Sequence, residues 1–104
     1  MNNVEDNKLV ILATNTLARS AGATQAAALR DNTGRTYVAV NVSAQGLTLD
    51  AFEAVLTVAL ASGITGIESV VATGELPANS AVIKGFSPDA TLFFIDASGQ
   101  ELAI

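Results

Sequence analysis

The sequence predicts an α/β domain whose elements run in the order αββαβαββ. Three observations carry that expectation. A central stretch repeats apolar residues at helical spacing, two short β-branched or aromatic runs have the pattern of buried strands, and a turn-forming segment separates two strand-like stretches.

A first helix is expected where Leu9, Leu12, Ala13, Thr16 and Leu17 recur at helical spacing, with Asp6 or Asn7 as its cap and Gly22 placed to stop it. Residues 25–30 and 35–42 read as a hairpin around Asp31-Asn32-Thr33-Gly34, a run that tolerates bent or left-handed backbone. In its second strand Val38, Val40 and Val42 alternate with Tyr37, Ala39 and Asn41, so one face is aliphatic and the other mixed. From Leu49 the set Phe52, Val55, Leu56, Ala59 and Leu60 follows the spacing of a helix that ends before Gly63. The other side of this helix, Leu47, Ala51, Ala54, Val58 and Ala61, is apolar but small, and it also needs cover: the sheet takes one side and a second subunit the other. Residues 67–73 form a nearly unbroken β-branched run, as in strands buried on both faces. A third helix fits residues 77–85, with Pro77 near its first turn. Residues 91–95 are a second buried strand, 97–100 a turn and 101–104 a short final strand. Two β-α-β connections make part of the sheet parallel, and residues 1–104 are read as a single domain without repeat or linker.

Composition narrows the function. The 104 residues include no histidine and no cysteine, so neither a typical catalytic zinc site nor a His- or Cys-based active site can be assembled. Ten acidic against five basic residues give a net charge of −5, which repels phosphate backbones and anionic lipid heads and disfavours nucleic-acid and membrane partners. No apolar run reaches the roughly 20 residues of a membrane span. The N-terminal Met1-Asn2-Asn3-Val4-Glu5-Asp6 is acidic where a secretory signal would be basic, so a cytoplasmic location is expected. Half the residues are hydrophobic and 14% charged, a composition that predicts some apolar surface against another subunit.

Specific segments carry a resemblance. They are Ala28-Leu29-Arg30 through Gly34-Arg35 into Asn41-Val42, then Gly46-Leu47-Thr48-Leu49 with Ala51 opening the central helix, and Phe86 with Pro88-Asp89-Ala90 before the next strand. In this order and spacing the chain, from about Arg19 to Gln100, resembles the cytidine deaminase family. The resemblance implies a mixed five-stranded sheet flanked by helices. In that family the central helix opens with a zinc-binding Cys or His, an alanine and a proton-shuttling glutamate, and Pro-Cys-x-x-Cys supplies two more ligands. Here Asp50 stands at the first ligand, Ala51 at the alanine and Phe52 at the glutamate, while an ungapped match puts Leu76 and Asn79 at the two cysteines. Glu53 falls one residue late, about 100° round the helix, and its carboxylate is expected to point away from the metal position. Of the family's nucleoside contacts, Ala23 stands for an aromatic stacking residue, and the Asn-x-Glu ribose pair has become Asn41-Val42-Ser43, leaving only Asn41.

Each of these residues also has a plainer reading. Asp50 and Asn79 could hold an oxygen-preferring cation, but the favoured expectation is that both satisfy backbone N–H groups at helix N-termini. Phe52 is read as core rather than as part of an aromatic ligand cage. Ser80 and Lys84, four apart, are read as a solvated helix face rather than a Ser-Lys nucleophile pair. Asp50 with Glu53 would make an acid pair only if desolvated. Asn41 is more often a hydrogen-bonded structural asparagine than a ribose ligand.

The expectation is a zinc-free, non-catalytic relative of cytidine deaminases with a structural or interaction role and no cofactor. The alternative is a nucleoside or nucleobase binder using Asn41, and a third is a deaminase or other hydrolase with altered chemistry at Asp50 or Glu53. The partners expected are further copies of the chain, as a dimer or tetramer with the central helix at or near the interface, with a different protein as the alternative. Related deaminases associate through this region, so the resemblance implies the same.

Overall fold

The computed structural model describes residues 3–104, so Met1 and Asn2 of the N-terminal stretch lie outside the described residues. Helix α1 (Val4–Arg19) starts earlier than expected because Asn3, not Asp6 or Asn7, caps it. Asn3 Oδ1 accepts from the N–H groups of Glu5 at 2.8 Å and Asp6 at 3.2 Å. Asp6 is left to turn inward, where it accepts from Arg30 Nη2 at 2.9 Å while Arg30 Nε donates to Glu68 at 2.7 Å. These bonds tie the start of α1 to the sheet.

Strands β1 (Gln25–Asp31) and β2 (Thr36–Val40) form the expected antiparallel hairpin. Its turn is built by Asp31, whose Oδ1 accepts from the Thr33 N–H at 2.9 Å, the Thr33 hydroxyl at 2.8 Å and the Arg35 N–H at 2.8 Å. Gly34 supplies the left-handed residue at φ 93°. Strand β2 stops short of the expected residue 42: the Asn41 N–H still donates to the Gln25 carbonyl, and the chain then leaves β1. Val42–Ala44 (β3) pairs instead with Leu47–Leu49 (β4), a small hairpin that the sequence pattern did not reveal because three-residue strands are too short to show a period. Then follow α2 (Ala51–Ala61), β5 (Ile67–Gly74), α3 (Ala81–Phe86), β6 (Thr91–Ile95) and β7 (Glu101–Ala103). Helix α3 is shorter than the expected 77–85 and begins later, with Pro77 buried ahead of it. The β6–β7 turn repeats the chemistry of the first: Asp96 Oδ1 accepts from the Ser98 N–H at 3.0 Å, the Ser98 hydroxyl at 2.6 Å and the Gln100 N–H at 2.8 Å.

The five main strands lie in the order β2-β1-β5-β6-β7, with β5 and β6 parallel and the other neighbours antiparallel. This is the mixed five-stranded sheet that the sequence predicts. Only one of the two β-α-β connections joins adjacent strands, since β1 lies between β2 and β5. Phe52, Val55 and Ala59 of α2 and Ile83 of α3 pack with Leu29, Val70, Ala72 and Leu92, while Leu9 and Ala13 of α1 pack with Ala26, Ala28 and Val71 in a second cluster. The side chains of Ala26, Ala27 and Ala28 are small enough for helices to approach β1 closely from both faces. Among the described residues no helix is long and apolar enough to cross a membrane.

The sequence placed Leu60 in the helix's core stripe, but it is 45% exposed. It falls just past the buried arc centred on Phe52, Val55 and Ala59. On the second side, Ala51 and Ala54 are buried within the chain itself, whereas Val58 and Leu47 remain exposed.

Burial alone would raise the pKa of Asp31, but the hydrogen bonds from Thr33 and Arg35 and the nearby Arg35 charge outweigh it and hold the carboxyl below its usual value. A depressed carboxylate stabilises the fold above its unfolded pKa of about 4, and that contribution is lost as pH falls through the folded value. Urea unfolding followed from pH 5 to pH 2 should therefore show a falling midpoint, and the fall should be shallower for Asp31→Asn. Identical slopes for the two proteins would show that Asp31 does not link folding to pH.

Candidate functional site

The candidate site lies where α2 begins. A helix N-terminus presents backbone N–H groups without intrahelical partners, and each needs an acceptor. Asp50 is the N-cap: its Oδ1 accepts from the Glu53 N–H at 2.9 Å, and Glu53 Oε1 returns the bond by accepting from the Asp50 N–H at 2.8 Å. The capping box is complete. The Ala51 N–H is taken by Gln25 Oε1 from β1 at 3.0 Å.

The remaining carboxylate oxygens face the segment between β5 and α3. Asp50 Oδ2 accepts from the Asn79 backbone N–H at 2.7 Å, and Glu53 Oε2 accepts from Asn79 Nδ2 at 2.9 Å. Asp50, Glu53 and Asn79 are thus brought together, each partly buried. Two expectations need correction. Glu53 does not point away from this cluster, because its side chain is long enough to fold back over the first turn. Asn79 is not a helix cap, since Ser80 occupies that position in α3 and the Asn79 amide donates to Glu53 instead. The Asn79 bond, followed by the bond from the Asp50 N–H, holds the Glu53 carboxyl below its usual pKa.

The other residues singled out from sequence do not join the cluster's bonds. Phe52 is fully buried in the core between α2 and the sheet, as expected. Leu76 is 55% exposed. The Lys84 ammonium donates to the Ala90 carbonyl at 2.5 Å rather than to Ser80. Asn41 Oδ1 accepts from the N–H groups of Thr24 and Gln25, both at 2.9 Å, and the Asn41 N–H donates to the Gln25 carbonyl at 3.2 Å. Its oxygen therefore organises the start of β1. Asn41 also borders a shallow recess of about 330 Å³ with Ser20, Gly22, Ala23 and Ser43, and none of Asp50, Phe52, Leu76 and Asn79 lines it.

The sequence profile of the cytidine deaminase-like family matches residues 2–99. The chain belongs to the cytidine deaminase-like family. Three solved structures are similar to it in fold. A cytidine deaminase from Mycobacterium leprae shares 19% identity at a TM-score of 0.74, with 97% of this chain and 94% of that one covered. A cytidine deaminase from Burkholderia pseudomallei shares 18% at 0.76, covering 94% and 90%. One from Mycobacterium tuberculosis shares 21% at 0.73, covering 86% and 85%. No curated protein sequence matches the chain.

A family zinc ion does not fit these residues. A catalytic zinc takes three protein ligands, mostly imidazole or thiolate, and keeps one open position. At the matching positions this family member has an aspartate with both oxygens engaged by N–H groups, an exposed leucine and an asparagine whose amide is donating. Among the described residues no three His, Cys, Asp or Glu side chains come together in a group able to hold a metal ion.

Gln25 is the site residue that sequence reasoning missed, whereas Glu53 was singled out with its carboxylate expected to face the wrong way. The Asp-x-x-Glu spacing of a capping box was available for Glu53. For Gln25 there was no local signal, because its partner lies 26 residues away. Phe52→Ala should cost about 3 to 5 kcal/mol as a buried large-to-small change. Chemical denaturation checks this, and a midpoint that barely moves would place the ring outside the core.

Proposed function

We propose that this chain is a non-catalytic member of the cytidine deaminase-like family, acting as a structural or interaction subunit without a cofactor. The observation that carries the reading is the bonding of Asp50 and Glu53. Both carboxylates hold N–H groups of the fold, and no acid stands at the matched proton-shuttle position, which is the buried Phe52. The chain also contains no histidine or cysteine to bind zinc in their place. The purified protein should carry no stoichiometric zinc by elemental analysis and should not deaminate cytidine above background. Turnover that follows the protein through purification would overturn the reading.

A second reading, nucleoside or nucleobase binding, is favoured by the recess beside Asn41. Its weakness is that the Asn41 oxygen already serves two backbone groups. Calorimetric titration with cytidine and uridine separates the two readings, since a saturable heat supports the second and its absence the first.

Self-association through the α2 side of the molecule is part of the proposal. Val58 continues the side begun by Ala51 and Ala54, at the point where the chain's own cover stops, and Leu47 is likewise exposed. Ala54 is too buried for a charge there to report on assembly alone. Val58→Glu is the better probe, because an unpaired carboxylate at an apolar interface costs several kcal/mol. Light scattering at tens of micromolar should find an oligomer for the unmodified protein and a smaller species for the variant. An unmodified monomer would refute the interface.

A further inference from the structure

We propose that Asp50, Glu53 and Asn79 form a metal-free clasp that locks the first turn of α2 to the segment leading into α3. An ordinary capping box engages one oxygen of each side chain. Here Asp50 Oδ1 and Glu53 Oε1 complete the box, and the second oxygen of each carboxylate reaches across the fold to the same residue. Asp50 Oδ2 takes a backbone donor 29 residues away, and Glu53 Oε2 takes a side-chain donor 26 residues away.

The segment being held needs such a tie. Residues 75–80 contain no helix or strand, and α3, only six residues long, follows them with no side-chain bond from its N-cap Ser80. One end of the segment is fixed where the Glu75 N–H donates to the Thr24 carbonyl at 2.9 Å. The other end is fixed by Asn79. Bonds to ionised carboxylates are about twice as strong as neutral ones, and partial burial protects these from competition with water. A metal ion would join the same two parts of the chain by coordinating ligands from each. The clasp joins them with two hydrogen bonds from Asn79, backed by the two of the capping box, and all four acceptors are carboxylate oxygens.

The inference shares with the non-catalytic reading only the absence of a metal at these residues. Turnover of cytidine would sink that reading, whereas the clasp stands or falls on amide exchange. Asp50→Ser keeps a capping oxygen for the Glu53 N–H but has no second oxygen to reach Asn79. By NMR hydrogen exchange, the Asn79 amide should exchange about tenfold faster in Asp50→Ser, while the Glu53 amide stays within about twofold of its unmodified rate. A chelator such as EDTA should change neither rate in the unmodified protein. An Asn79 amide equally protected in the variant, or one released by EDTA in the unmodified protein, would overturn the clasp. If Asp50→Ser does not fold, Asn79→Ala and Glu53→Gln provide the test through denaturation midpoints. Together they should lose less than the sum of their separate losses, and simple additivity would refute the coupling.

Discussion

The N-terminus of α2 sets the central constraint in this molecule. A helix that starts between a sheet and a neighbouring segment brings partly buried N–H groups with it, and leaving even one unpaired costs about 1 to 3 kcal/mol. The chain meets the need from three directions. Gln25 reaches from β1 to the Ala51 N–H, Asp50 accepts from the Glu53 N–H, and Glu53 folds back to the Asp50 N–H. Asn41 in turn fixes the backbone at Gln25. A line of hydrogen bonds therefore runs from the end of β2 through the start of β1 to the helix and on to Asn79, which makes the geometry of this region collective.

That collective bonding also bears on chemistry. Each oxygen of Asp50 and Glu53 already faces a donor, so a proton or metal meeting either carboxylate would compete with a bond that holds the fold. The side chain between them in sequence, Phe52, faces inward and serves the core. Asp50, Glu53 and Phe52 each contribute to holding the fold, the first two by hydrogen bonds and the third by packing.

Much of the fold was legible because its signals are local. The two hairpin turns share the pattern Asp-x-Ser/Thr-Gly, and in both the aspartate collects the N–H and hydroxyl two residues on and the N–H four residues on. The strands at 67–73 and 91–95 were visible as apolar runs and lie side by side in parallel. The β3–β4 hairpin and the late start of α3 were not visible, since one rests on three-residue strands and the other on bonds from Asn79 to residues of a different element. The site was legible to the same extent. Asp50 and Asn79 were singled out and do meet, but the contribution of Glu53 depends on a side-chain direction that helical angle alone does not give. Gln25 acts through a long-range contact with no sequence signature.

The most direct test of this account is a carbon-13 NMR titration of the Glu53 side-chain carboxyl, with and without equimolar zinc. Asn79 and the Asp50 N–H both stabilise the ionised form, so the account predicts a midpoint below the ordinary glutamate range that zinc leaves in place. A midpoint at or above the ordinary range, or one displaced by zinc, would show that the carboxylate is free to do chemistry and would contradict the account.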